Sequence, residues 1–119
     1  MILIKDNHID AVGSLNAAVR LARQKWEKRF AVEVECRSLA DVREALECAV
    51  DVIMLDNMDL PTMREALRMV DKRIPVELSG NVVLSRLKEL VPLGADYISV
   101  GALTHSAPAL DFSLRMRMD

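Results

Sequence analysis

The apolar residues of this chain change their spacing repeatedly, from continuous or alternate runs to helical intervals and back. No other feature restricts the fold so strongly. Ile2-Leu3-Ile4 is a short apolar run closed by Lys5-Asp6-Asn7. From Ser14 to Lys28, Leu15, Ala18, Val19, Ala22 and Trp26 recur on one helical face. Phe30 to Cys36 alternates, with Val32 and Val34 on one side and Glu33 and Glu35 on the other. Ser38, followed three residues later by Asp41, reads as a capping box before a helix whose stripe is Leu39, Val42, Leu46 and Ala49. Val50 to Leu55 reads as a strand ending at Asp56-Asn57. Pro61 suits a first helical position ahead of Met63, Ala66, Leu67 and Val70. Pro75 to Leu78 is extended and runs into Ser79-Gly80-Asn81. A helix is expected from about Val82, with Leu84, Leu87 and Val91 as its stripe and Pro92 and Gly94 as its stop. Tyr97 to Val100 is the fifth strand, and the tail beyond Pro108 has no clear period.

Five strands separated by four helices predict an α/β fold with a parallel sheet. Two architectures fit: an open doubly wound sheet, or a partial (β/α) barrel. A complete barrel takes about 250 residues, so 119 residues supply an arc of one. The chain contains neither GxGxxG nor GxxxxGK[ST], which weakens the nucleotide-binding reading of an open sheet.

Charge and composition remove other classes. With 16 basic and 18 acidic side chains, the net charge is −2, and nucleic-acid binding through a basic stripe is not expected. Trp26, Phe30, Tyr97 and Phe112 are the full aromatic complement, too few for a base-stacking platform. No apolar run approaches the ~20 residues of a membrane span, and Lys5 interrupts the start too early for the core of a signal peptide. Cys36 and Cys48 lack the spacing of a disulfide framework or zinc site, so a reducing, cytoplasmic setting is expected. Both read as small core residues.

Polar residues stand where the strands stop. Lys5, Glu35, Asp56, the Ser79-Gly80-Asn81 turn and Gly101 each fall at a strand's carboxyl end. In parallel α/β folds these ends share one rim, where active sites are built. Glu35 and Asp56 could hold a divalent cation or hydrogen-bond sugar hydroxyls, since both uses need hard oxygen donors. Glu33 reads as one solvated face of its strand. Lys5 supplies a cation for a developing negative charge. The Ser79-Gly80-Asn81 turn, ahead of the expected helix, could present backbone N–H groups to a phosphate. Gly101-Ala102 is a second small turn of this type. A phosphorylated sugar is the ligand class these features share. His8 and His105 show no metal spacing and read as surface or supporting residues, and Arg115 and Arg117 as solvated charge.

These segments resemble one family. KDNH (Lys5 to His8), VEVE (Val32 to Glu35), IMLDNM (Ile53 to Met58), ELSGN (Glu77 to Asn81) and DYISVGALTHSAPALDFSL (Asp96 to Leu114) are similar to quinolinate phosphoribosyltransferase, also called nicotinate-nucleotide pyrophosphorylase (carboxylating). The resemblance implies a glycosyltransferase of de novo NAD synthesis. It joins quinolinate to phosphoribosyl pyrophosphate, gives nicotinate mononucleotide, pyrophosphate and carbon dioxide, and normally uses Mg²⁺. By the same resemblance Lys5 is the active-site lysine, and Glu35 and Asp56 are the acidic pair near the ribose and the metal. Ser79, Gly80 and Asn81, with Val100, Gly101 and Ala102, are the turns that hold phosphate. Leu78 replaces the usual small Ala and is expected to tighten the phosphate turn.

The resemblance also implies that residues 1–119 are the carboxyl-terminal portion of the barrel domain. The amino-terminal domain and first strands, with the cations that grip quinolinate and pyrophosphate, would then lie outside the chain. Alone it is expected to be inactive or nearly so. An arc has open edges at the Ile2 and Tyr97 strands, so a homodimer, or a partner supplying the missing half, is expected. A related phosphoribosyltransferase acting on another aromatic acid, and a non-catalytic phosphate-binding or assembly module derived from the barrel, stay open as alternatives.

Overall fold

The computed structural model describes residues 1–27, 29–106 and 108–118. Five strands, β1 (Ile2–Ile4), β2 (Val32–Cys36), β3 (Val52–Asp56), β4 (Val76–Ser79) and β5 (Tyr97–Ile98), form one parallel sheet in the order β1-β2-β3-β4-β5. The order never reverses. A doubly wound sheet needs a reversal point, so the consecutive order belongs to an arc of a barrel. The register pairs Ile4 with Val34, Glu35 with Met54, and Asp56 with Ser79.

Alternation divides the sheet's two faces. Ile4, Val32, Val34, Cys36, Ile53, Leu55, Val76 and Leu78 pack into the core with Leu15, Val19, Val42, Ala45, Met63, Ala66 and Val70 of the helices. Those helices are α2 (Leu15–Trp26), α3 (Leu39–Leu46) and α4 (Leu60–Val70). Each begins at a side-chain cap: Ser14 accepts from the Ala17 N–H, Ser38 from Asp41, and Asp59 from Thr62. The capping box at Ser38 is complete. Truncating one of the fully buried Leu or Ile side chains to Ala costs about 2–5 kcal/mol.

Five local expectations change. A helix not expected from the sequence, α1 (Asp6–Val12), follows β1 directly. It buries no residue, so it leaves no apolar stripe; its start is set instead by the Lys5 N–H donating to His8 Nδ1, and its end by left-handed Gly13. Lys28, where the sequence ends the next helix, lies outside the described residues, and α2 stops at Trp26. The helix expected from Val82 is broken into a 3₁₀ turn at Leu84–Arg86, the four-residue α5 (Leu87–Leu90) and a second 3₁₀ turn at Val91–Leu93, which contains Pro92. Strand β5 is shorter than expected, although the Ser99 N–H still donates to the Leu78 carbonyl. A short helix not expected from the sequence, α6 (Ala102–His105), follows β5, and in the tail residues 108–118 have no regular structure and are exposed.

Candidate active site at the carboxyl ends of the strands

The sheet face away from the core carries the charge. Alternation and register bring Glu33, Glu35, Asp56, Glu77, Ser79 and Ser99 onto it. Lys5 is the N-cap residue of α1, at the end of β1. Its Nζ lies 3.8 Å from Glu35 Oε2, across the end of the neighbouring strand. Glu35 is 8% exposed. Burial is the main cause that raises its carboxyl above the usual range; the charge of Asp56 adds to this, and Lys5 opposes it. The structure therefore places Lys5, Glu35 and Asp56 in one electrostatic unit at the rim.

Asp56 is tied to the phosphate-type turn through a residue with no role in the sequence reading. Asn57 Nδ2 donates to Asp56 Oδ2 at 2.7 Å, and Asn57 Oδ1 accepts from Asn81 Nδ2 at 2.9 Å. The Asn57 N–H donates to the Ser79 carbonyl at 3.1 Å. Asn57, Gly80 and Asn81 all have left-handed backbones, with φ of 53°, 86° and 49°. Gly80 is required twice over: its φ favours glycine, and a Cβ there would collide with Asn57 Oδ1 and stand 2.6 Å from its backbone N. The sequence placed this turn ahead of a helix, but the 3₁₀ turn that follows offers no helix end to an anion. Any N–H cradle must come from the turn itself. A second residue missed by the sequence reading, Arg86, reaches back to the Asn81 carbonyl with Nη1 at 3.3 Å. Its signal was only its position five residues beyond the turn.

The last turn lies at the end of the adjacent strand. Gly101 is a close-approach site, since a Cβ there would stand 2.9 Å from His105 Nε2. The His105 ring also meets Ser106 Oγ through Nδ1, at 2.7 Å. Ala102 opens α6. Val100 is half-buried and packs against the core. Leu78 is fully buried among the helices and points away from the turn, so it does not tighten the ligand side. His8 is committed to the α1 cap.

Glu33 corrects the sequence reading. It is not solvated but 2% exposed. Burial, and then the neighbouring carboxyl of Glu77, push its pKa up to about 7. Its Oε1 has no hydrogen-bond partner among the described residues, while Glu77 accepts from Ser99 Oγ. Strand β2 is buried on both faces, as in the interior of a barrel. The thiol of Cys36 is likewise pushed up to about 12, chiefly by burial, and is an inert core group.

Among the described residues no cluster of three or more His, Cys, Asp or Glu side chains is placed to hold a metal. Glu35 and Asp56 alone suit a hard cation that brings most of its ligands with it, as Mg²⁺ does on a polyphosphate. A cavity of about 500 Å³, lined by Arg64, Leu67, Ile74 and Leu93, opens at the amino ends of β4 and β5 and shares no residue with this rim.

An arc of parallel barrel whose carboxyl-end rim joins a Lys–Glu pair and an Asp to a glycine turn defines a class: a (β/α) barrel domain with its polar and charged groups gathered at the carboxyl ends of the strands. Residues 1–115 match the family model described as "Quinolinate phosphoribosyl transferase, C-terminal domain", and the chain belongs to that family. It is similar to nicotinate-nucleotide pyrophosphorylase (carboxylating) of Rattus norvegicus, with 41% identity over 98% of this chain and 40% of the relative. It is also similar to the probable enzyme of that name from Synechocystis sp., with 40% identity over 97% of this chain and 40% of the relative. The structure of NadC from Streptococcus pyogenes superposes with a TM-score of 0.87 at 44% identity, over 97% of this chain and 40% of that one. The chain thus spans about 40% of the length of these relatives. A thiamine phosphate pyrophosphorylase from Pyrococcus furiosus, at 18% identity and a TM-score of 0.65, shares the fold alone. No helix among the described residues is long and apolar enough to cross a membrane.

Proposed function

We propose that this chain supplies the carboxyl-terminal rim of a quinolinate phosphoribosyltransferase, which converts quinolinate and phosphoribosyl pyrophosphate to nicotinate mononucleotide, pyrophosphate and carbon dioxide. The observation that carries this reading is the continuous arrangement of Lys5, Glu35, Asp56 and the Ser79–Asn81 turn on consecutive strand ends. In this reading the turns at Ser79-Gly80-Asn81 and Val100-Gly101-Ala102 hold the 5-phosphate through backbone N–H groups. Asp56 and Glu35 face the ribose, where they offset the positive charge that develops as the bond to pyrophosphate breaks. Lys5 faces the anionic groups. Glu35 and Asp56 would hold Mg²⁺ brought by the pyrophosphate, where it would supply positive charge to the leaving group.

Lys5, Arg37 and Arg86 are few cations for two ligands of high negative charge, and Arg37 is already paired with Asp6; buried anions without partners are costly. Turnover by this chain alone is therefore expected to be negligible, while binding of the phosphoribosyl group survives. Calorimetric titration of the chain with phosphoribosyl pyrophosphate and Mg²⁺ tests the reading. Saturable heat is expected, and its absence at millimolar ligand removes the assignment.

We further propose a homodimer in a reducing, cytoplasmic compartment. Leu3 is 38% and Tyr97 55% exposed on the face that a closed barrel would cover, and two copies can shield such surface by a two-fold arrangement. Sedimentation equilibrium at micromolar concentration is expected to give a mass of two chains; a stable monomer would refute this assembly.

A further inference from the structure

We propose that Asn57 is a positioning residue that fixes the spacing between the Asp56 carboxylate and the Ser79–Asn81 turn, so that the rim selects a ribose 5-phosphate unit over a bare phosphate. The proposal rests on the reading of this rim as a phosphoribosyl site, and it assigns a determinant of which phosphorylated sugars fit.

Asn57 touches every part of the arrangement. Its amide donates to Asp56 and accepts from Asn81, its backbone N–H holds the Ser79 carbonyl, and its side chain fills the space a Gly80 Cβ would need. The direction of this chain of bonds is dictated by chemistry. An ionised carboxylate only accepts, so Asn57 must turn its NH₂ toward Asp56. Its carbonyl oxygen then faces Asn81, which must present its own NH₂ in return. One charge thereby orients two amides and reaches the turn. The left-handed φ of 53° at Asn57 is the condition for this reach, and Asn, Asp and Gly are the residues that adopt it at least cost. Asp56 and Ser79 are also register partners, so strand pairing and the amide bridge set the same separation twice. A ligand with hydroxyls for the acid and a phosphate for the turn meets a fixed gap; inorganic phosphate uses only one end of it.

Two substitutions divide the bridge. Asn57→Asp keeps the shape, the backbone and an acceptor for Asn81, but turns a second carboxylate toward Asp56. Asn57→Gly keeps the left-handed backbone and removes both side-chain bonds. The test measures affinities of the 119-residue chain for inorganic phosphate and ribose 5-phosphate by calorimetry, with the amide NMR resonances of Gly80 and Asn81 recorded without ligand. The wild-type chain is expected to favour ribose 5-phosphate. In Asn57→Asp the added charge beside the turn weakens both anions, and the preference for ribose 5-phosphate over phosphate falls by about tenfold beyond that shared loss, as expected for one lost hydrogen bond and one added repulsion at Asp56. In Asn57→Gly both affinities fall, and the Gly80 and Asn81 resonances shift. A wild-type preference retained in Asn57→Asp overturns the proposal. If neither ligand binds the wild-type chain, the phosphoribosyl reading fails, and with it the selectivity. The resonances then judge the positioning role separately: shifts in Asn57→Gly uphold it and unmoved resonances overturn it.

Discussion

The two rims of the sheet use the same residue types to opposite ends. At the amino-end rim, Asp51 stands before β3 and accepts from the Val32 N–H at the start of β2, at 2.6 Å, while also pairing with Arg23. Asp96 repeats the device before β5, accepting from the Val76 N–H at 2.8 Å. Each acid closes the first open N–H of the preceding strand, and Arg23 adds bonds to the Ala49 carbonyl. At the carboxyl-end rim the acids are crowded instead. Burial and the charge of Asp56 raise the cost of ionising Glu35, Lys5 stands at 3.8 Å, and three left-handed residues hold the turns. One rim uses its carboxylates on backbone groups; the other sets a buried Glu35 and a half-buried Asp56 beside Lys5 and the glycine turn. In (β/α) barrels generally, the amino-end face bears on stability and the carboxyl-end face is where sites are built.

The largest expected effect breaks the carboxyl-end rim. Gly80→Val forces a β-branched side chain into a left-handed backbone and onto Asn57. Binding of phosphoribosyl pyrophosphate should fall below detection in calorimetry, and the strain should cost about 1–3 kcal/mol in denaturant unfolding. Unchanged binding would show that the turn is not the phosphate site. Next comes the amino-end rim. Asp51→Ala leaves the buried Val32 without its acceptor and Arg23 without its acid, so unfolding free energy should drop by about 2–3 kcal/mol with ligand affinity unaltered in the folded fraction. A loss of affinity there would mean that the two rims are not separable.

A smaller effect lies between them, at Glu33. Its carboxyl titrates near 4.5 when unfolded and at about 7 in the folded chain. The folded state therefore holds a proton that the unfolded state has released. Stability contributed by that proton is complete below pH 4.5 and is lost as pH rises toward 7. Glu33→Gln should flatten this decline and raise stability above neutrality by on the order of 1–2 kcal/mol. Urea midpoints across this range read it, and an unchanged pH profile would place the titration elsewhere.

Several parts of this arrangement were plain in the residue string. Strands and α2, α3 and α4 were legible because each buries one face and so writes its period locally. The capping box at Ser38 needs only its own four residues. Lys5, Glu35 and Asp56 were legible as strand-end polar groups. Helix α1 was not, because only Ile9 packs partway onto the core and its start depends on His8 reaching back to Lys5. Glu33 was misread because alternation alone cannot tell a wet face from a barrel interior; strand β2 is covered on both. Asn57 was silent because its partner Asn81 lies 24 residues away.

The sequence by itself determined the alternation of elements, the parallel α/β class, the family and the ends of strands at which charge would gather, since each depends on spacing within a few residues. Only the tertiary structure decided the unreversed strand order, the burial of Glu33 beside Glu77, and the amide bridge from Asp56 through Asn57 to the glycine turn. Those depend on which strands become neighbours and in what register. Hydrogen bonds and desolvation act over a few ångströms of space, and folding sets those distances between residues far apart along the chain.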